Sequence, residues 1–372
     1  MAHSYTPGLR ITESTVLRRE RRLPLRGTVQ ATLGERVEAQ QVVASCALPG
    51  NVQTINLASK LSLDPARVPA SLTRPVGTAV RQGEVIATAR ALFGLVKNQV
   101  TAPSDGTLEG VSHVTGQLIF REPPIPVEVT AYVEGVVCEV LPLEGVIVEA
   151  HGAFLQGIFG IGGETWGEIA IAVPGPEHDL TAGDLKSEHR GKIVVGGAYV
   201  SYETLMRARE VGVAAVVVGG FDDGSLRQLL NRDLGVAITG SEEVGFTLLL
   251  TEGFGRIRMA DRAWHLLNRF KGMRASVSGA TQIRAGVMRP EILIPHPGEP
   301  APDAAGDGGL EMGSLLRVIR EPHFGRIGRV VDLPSELRAL ESEAEVRVLV
   351  VEFADDGARA VVPRANIERI AN

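Results

Sequence analysis

Two sets of residues in this chain have the types and spacing to do chemistry. The first is a series of glycine-bearing loops: Gly196-Gly197, Gly255 followed by Arg256, and the stretch SGATQIRAG, which opens on Ser278 and carries Arg284. Backbone N–H groups turned towards one point, with a guanidinium beside them, make a seat for a small anion. The second set is Arg317, Arg320, Arg326 and Arg329, with Phe324 among them. Clustered arginines can neutralise phosphates, and an aromatic ring beside them can stack on a base.

Neither set spells out a reaction. The glycine loops contain no G-x-x-x-x-G-K-[ST] and no G-x-G-x-x-G, so they match neither a P-loop nor a dinucleotide fingerprint. The stretch GIFGIGGETWG, Gly157 to Gly167, comes nearest to a phosphate cradle, but no Lys or Ser follows at the needed spacing. Its acid, Glu164, has no second carboxylate close by and fits domain packing better than acid–base work. The histidines at 3, 113, 151, 178, 189, 265, 296 and 323 form no H-x-x-x-H pair, and no G-x-S-x-G elbow appears. Cys46 and Cys138 are too few for a thiolate metal site or a disulfide framework. The expectation is a non-enzymatic protein with no catalytic residues, no metal and no cofactor.

The elements that must position these residues are β-rich. With 372 residues, two or three domains are expected, and aromatics at 4% leave the cores to Val, Leu, Ile and Ala. A net charge of −6 gives no global pull towards nucleic acid or anionic lipid. The N-terminus MAHSYTPGLRITES lacks the apolar core of a signal peptide, and no run reaches the roughly 20 apolar residues that span a bilayer. A cytoplasmic protein without a membrane segment is expected. LRRERRLPLR, Leu17 to Arg26, is read as a solvated arm over residues 1–24 and into the next domain.

The first third repeats itself. VTAPSDGTLEGV (Val100 to Val111) and VTAYVEGVVCEV (Val129 to Val140) share V-T-A-x-x-x-G-x-x-x-x-V at an offset of 29 residues. GERVEAQQVVA (Gly34 to Ala44) and GTAVRQGEVIA (Gly77 to Ala87) share a second pattern. Apolar and polar positions alternate behind an opening glycine, which predicts short strands leaving tight turns. The duplication predicts two interlocking halves of one compact β-domain over residues 25–175. VGTAVRQGEVIA followed by VTAPSDGTLEGV resembles the barrel-sandwich hybrid of biotinyl and lipoyl carrier domains. That family carries its modified lysine at a hairpin tip, where this chain has Phe93-Gly94-Leu95; Lys97 stands off the tip without a flanking Met or Ala. The resemblance therefore implies the scaffold without the carrier function.

From residue 176 to 294 the period changes. GKIVVGG, AAVVVGG and FTLLLTEGFG read as buried strands, and Ser201 to Gly212, Asp222 to Asn231 and Met259 to Phe270 read as helices. This predicts a small α/β domain with a mixed sheet, similar to protease-associated or swivelling modules. PHPGEPAPDAAGDGG, residues 295–309, is a linker. Over 310–372, LLRVI, FGRIGRVV and VVPRANIERI resemble the KOW motif of SH3-like barrels in transcription elongation factors and ribosomal proteins. That resemblance implies contact with RNA, a ribosome or a polymerase. The expected function is an adaptor whose barrel docks on a ribonucleoprotein or protein partner through Arg317, Arg320, Phe324, Arg326 and Arg329. A homo-oligomeric scaffold and a small-anion binder are the alternatives.

Overall fold

Aliphatic runs make the centre of the structure. The computed structural model of the chain describes residues 9–91, 96–230, 242, 244–281, 288–297, 310–319, 322–323, 325–334, 337–339 and 345–369. Strands Glu164–Ile171, Ile193–Val195, Ala215–Phe221 and Thr247–Phe254 lie side by side in parallel. Every residue of Ala215–Phe221 is buried, as a strand covered on both faces must be. Helices Tyr202–Val211, Asp223–Leu230 and Asp261–Arg269 place Leu205, Leu226 and Leu267 in the same core. The first of these starts where the sequence places its cap: the Ser201 hydroxyl accepts the Thr204 N–H at 3.2 Å. Gly212, at φ 78°, closes it.

The same sheet continues in antiparallel fashion from Glu164–Ile171 through Arg274–Ser278, Glu291–Pro295 and Gly145–Gln156 to Gly135–Leu141 and Arg36–Val37. One sheet thus runs across the boundary expected at residue 175. Pro295, the first residue of the expected linker, still pairs with Gly152; residues 298–309 lie outside the described residues.

The expected arm is a strand, and the side chains of Arg18 and Arg22 on it are solvated as read. Ile11–Arg22 pairs along the length of Gly145–Gln156. Its arginines meet carboxylates contributed by distant segments: Arg18 with Glu149 at 2.7 Å, Arg19 with Glu291 at 2.6 Å, Arg21 with Glu164 at 2.7 Å and Arg22 with Glu144 at 2.8 Å. No local reading of LRRERR contains those partners. Glu164 is spent on this packing.

The repeat is built twice, one copy inside the other. In the outer copy, Gly34 N–H bonds the Val137 carbonyl and Val137 N–H bonds the Glu35 carbonyl. In the inner copy, Gly77 N–H bonds the Leu108 carbonyl and Leu108 N–H bonds the Thr78 carbonyl. The strand pairs correspond too: Val42–Leu48 with Ile125–Thr130, and Val85–Ala91 with Val96–Thr101. Ala44 faces Val129 as Ala87 faces Val100, with a register shift at the same place in each. Four residues, 92–95, which lie outside the described residues, separate the inner strands in sequence, whereas residues 49–124 separate the outer ones. Instead of interlocking in one core, the copies fill two. Val37, Val43 and Val137 belong to one cluster, and Val80, Ile86 and Leu108 to another. Lys97 sits in the strand Val96–Thr101, opposite Arg90.

The C-terminal unit is a separate sheet in the order Leu337–Ala339, Glu345–Phe353, Ile327–Asp332, Leu315–Val318, Ile367–Arg369, with Arg359–Pro363 also on Glu345–Phe353. The turn read at Asp355-Asp356-Gly357 joins two of these strands, with Gly357 at φ 68°. Leu316, Val330, Leu349 and Val351 form its core.

Candidate functional site

The glycine loops stand where ligands of parallel sheets bind, at the carboxyl ends of the strands. The amides of Gly196 and Gly255 are used by the chain itself. Gly196 N–H donates to the Val217 carbonyl at 2.8 Å, and Gly255 N–H to the Phe221 carbonyl at 2.9 Å. A Cβ at Gly197 would lie 2.3 Å from the His178 carbonyl oxygen, so close backbone approach accounts for that glycine. Arg256 is drawn to Asp179, Nε to Oδ1 at 3.0 Å. Ser278 is buried in the sheet, its hydroxyl accepting the Ala280 N–H at 3.3 Å. Arg284 lies outside the described residues. The expected anion seat at Gly196 and Gly255 is therefore filled by turn and sheet bonds.

A hydrogen-bonded pair occupies this edge instead. The Tyr199 hydroxyl donates to Asp222 Oδ2 at 2.7 Å, and Asp222 Oδ1 accepts the Ser225 N–H at 2.8 Å. Burial, reinforced by Asp222, pushes the Tyr199 phenol up to about 12. Burial also acts to raise the Asp222 carboxyl, but hydrogen bonds from Ser225 and Tyr199 outweigh it and leave the group below its ordinary value. A phenol so hard to ionise is a lock at neutral pH, not a base.

Of the second set, Arg317 meets the α/β layer rather than solvent. Arg317 is 1% exposed, and its Nη2 donates to Glu252 Oε2 at 2.8 Å. Glu252 Oε1 accepts the Ala260 N–H at 2.9 Å, at the start of the helix Asp261–Arg269. On the other side Arg317 Nη1 lies 3.8 Å from Glu368 Oε1. Glu368 itself accepts the Leu9 N–H at 2.6 Å and Arg289 Nη1 at 2.5 Å. Around this network the two units touch: Ile319 packs on the α/β core, and a Cβ at Gly325 would lie 2.8 Å from the Phe254 ring.

The expected arginine stripe is therefore not one exposed surface. Arg317 leaves it for the interface, where it is buried with Glu252 and Glu368 and the half-buried Arg289 joins them, and where an unpaired charge would be costly. Arg326 lies 3.8 Å from the centre of the Phe353 ring and is held by Asp355 at 2.5 Å and Asp356 at 2.7 Å. The hydrogen bond from Arg326 keeps the Asp355 carboxyl below its usual range. Arg329 donates to the Gly313 carbonyl at 3.2 Å. Arg320 and Phe324 lie outside the described residues.

Glu252, Glu368 and Arg289 were not singled out by the sequence. Their signal was nevertheless present. Glu252 interrupts the aliphatic run FTLLLTEGF, as Arg317 interrupts LLRVI. A single charge inside a buried strand calls for an opposite charge elsewhere.

Among the described residues no group of three or more His, Cys, Asp and Glu is placed to hold a metal ion, and no helix is long and apolar enough to cross a membrane. No protein-family model matches the chain, and no curated protein matches it.

Proposed function

We propose that this protein is a non-enzymatic adaptor in which a C-terminal SH3-like unit of KOW type is clamped to a β and α/β scaffold and docks on a protein partner, alone or within a ribonucleoprotein. The first β-rich part fits a barrel-sandwich hybrid used as scaffold. The observation that carries this reading is the burial of Arg317 between Glu252 and Glu368. It removes from the surface an arginine that an RNA-contacting stripe would need, and it fixes the unit in one orientation. A buried ion pair contributes little net stability over an apolar replacement but strongly disfavours arrangements that leave a charge unmatched. Arg326 and Arg359 are likewise paired, with Asp355 and Glu352. Contact with phosphates would have to break those pairs.

The test is capture of the tagged chain from its native host, split and treated with or without RNase. A protein partner retained after RNase supports the adaptor, and loss of every partner on RNase treatment contradicts a protein-docking unit. A second reading, a homo-oligomeric scaffold, draws on the inner β-copy, which exposes Val52, Val114 and Ile119. Sedimentation of the purified chain as a single monomeric species would exclude it.

A further inference from the structure

A cleft far from the Arg317 network opens where the outer β-copy meets the large sheet. It is open to solvent, holds about 80 Å³ and is lined by Glu38, Gln40 and Glu134 from the turns and Trp166, Arg274 and Pro295 from the sheet. The turns bearing the acids are tied together, since the Tyr132 N–H donates to the Ala39 carbonyl at 2.8 Å. Trp166 and Arg274 stand on paired strands of the sheet, Glu164–Ile171 and Arg274–Ser278.

Three features of this cleft point to a ligand. The chain has two tryptophans; Trp264 is buried in the α/β core, whereas Trp166 is only half-buried and lines the opening. Glu38 and Arg274 carry opposite charges and line the same cleft, yet among the described residues neither forms an ion pair. Arg274 faces Glu168 across the strands, but Glu168 is taken by Lys192 at 3.0 Å. Among the described residues Glu134 pairs with the exposed Arg36, at 3.3 Å, a contact worth little in water. The cleft thus brings two acids from the turns and an arginine and an indole from the sheet to one opening.

We propose that this cleft binds a small zwitterion of the amino-acid type. Its ammonium group goes to Glu38 and Glu134, over the Trp166 ring, where cation–π attraction adds to the ionic one. Its carboxylate goes to Arg274, whose planar fork suits a carboxylate. This site is independent of the adaptor reading and of the C-terminal unit.

The test uses the full-length chain and its tryptophan emission, with the twenty L-α-amino acids added one at a time at millimolar concentration and constant ionic strength. At least one is expected to change the emission saturably. Its Nα-acetyl form and its decarboxylated amine should each bind about tenfold more weakly or worse, as should the parent ligand to Glu38→Gln and Arg274→Gln. Calorimetry on Trp166→Phe separates loss of the reporter from loss of binding. A chain that gives neither a saturable change nor a heat with any of the twenty overturns the proposal. So does binding that is unaffected by blocking either end of the ligand or by both charge substitutions.

Discussion

Arg317 and Glu252, 65 residues apart in the chain, meet at 2.8 Å with side-chain exposures of 1% and 7%. The bond joins the C-terminal sheet to a strand of the α/β layer and makes the two units one structural problem. Removing the cation strands a carboxylate in the interface. Arg317→Ala is expected to cost about 3–5 kcal/mol in urea unfolding. Adding Glu252→Gln to the same chain should recover part of that loss, because the amide still accepts the Ala260 N–H and no charge is stranded. Additive losses would mean the pair is not coupled.

Gly325 lies where the C-terminal unit meets the α/β layer. It has φ +81°, and an added Cβ would meet the Phe254 ring at 2.8 Å. Gly325→Ala is predicted to cost about 1–2 kcal/mol from the backbone alone and to loosen the contact further. Calorimetry should then resolve two unfolding transitions where the parent chain shows closer coupling; an unchanged thermogram would refute the contact.

The nesting of the β-copies predicts that the inner one is dispensable for the outer. Residues 49–124 join the outer strands Val42–Leu48 and Ile125–Thr130, whereas four residues separate the inner strands Val85–Ala91 and Val96–Thr101. A chain with 49–124 replaced by Leu92-Phe93-Gly94-Leu95 should still fold, keeping the Val37, Val43 and Val137 cluster. Cooperative thermal unfolding of the shortened chain confirms it, and an aggregated or unfolded product contradicts separate cores. Conversely, Leu108→Ala should cost about 2–5 kcal/mol and act on the inner copy alone.

The Tyr199–Asp222 pair predicts a definite pH response. Folding raises the Tyr199 pKa from 10.0 to about 12, so the stability it contributes is complete below pH 10 and is lost as pH rises through about 12. Asp222 is lowered, so its contribution is present above the ordinary aspartate range and is lost as pH falls through its folded value. The pair is intact at neutral pH. In Asp222→Asn the Tyr199 ionisation, followed by phenolate absorbance, should move part of the way back towards 10, since burial remains. No movement would show that burial acts alone.

What the sequence made legible was whatever depends on neighbours a few residues apart. The helix cap at Ser201, the turn at Asp355-Asp356-Gly357 and the repeated strands around Gly34 and Gly77 are all of this kind. The partners of LRRERR were not legible, because Glu149, Glu164 and Glu291 enter by sheet pairing from far along the chain. The same limit hid the interface. Arg317 in LLRVI and Glu252 in LLLTEGF each announce a buried charge, but only the fold brings the two together. The glycine loops misled in the opposite direction. Gly196 and Gly255 carry the composition of an anion seat, whereas their amides close strand-to-turn bonds.

The measurement closest to the central claim is the binding of labelled single-stranded RNA to the full-length chain by fluorescence anisotropy, across a range of salt concentrations. With Arg317 buried and Arg326 held by Asp355 and Asp356, no RNA affinity tighter than about 10⁻⁴ M is predicted at physiological salt. Micromolar binding that weakens steeply with salt, and weakens again in Arg326→Gln or Arg329→Gln, would contradict it and return the C-terminal unit to RNA.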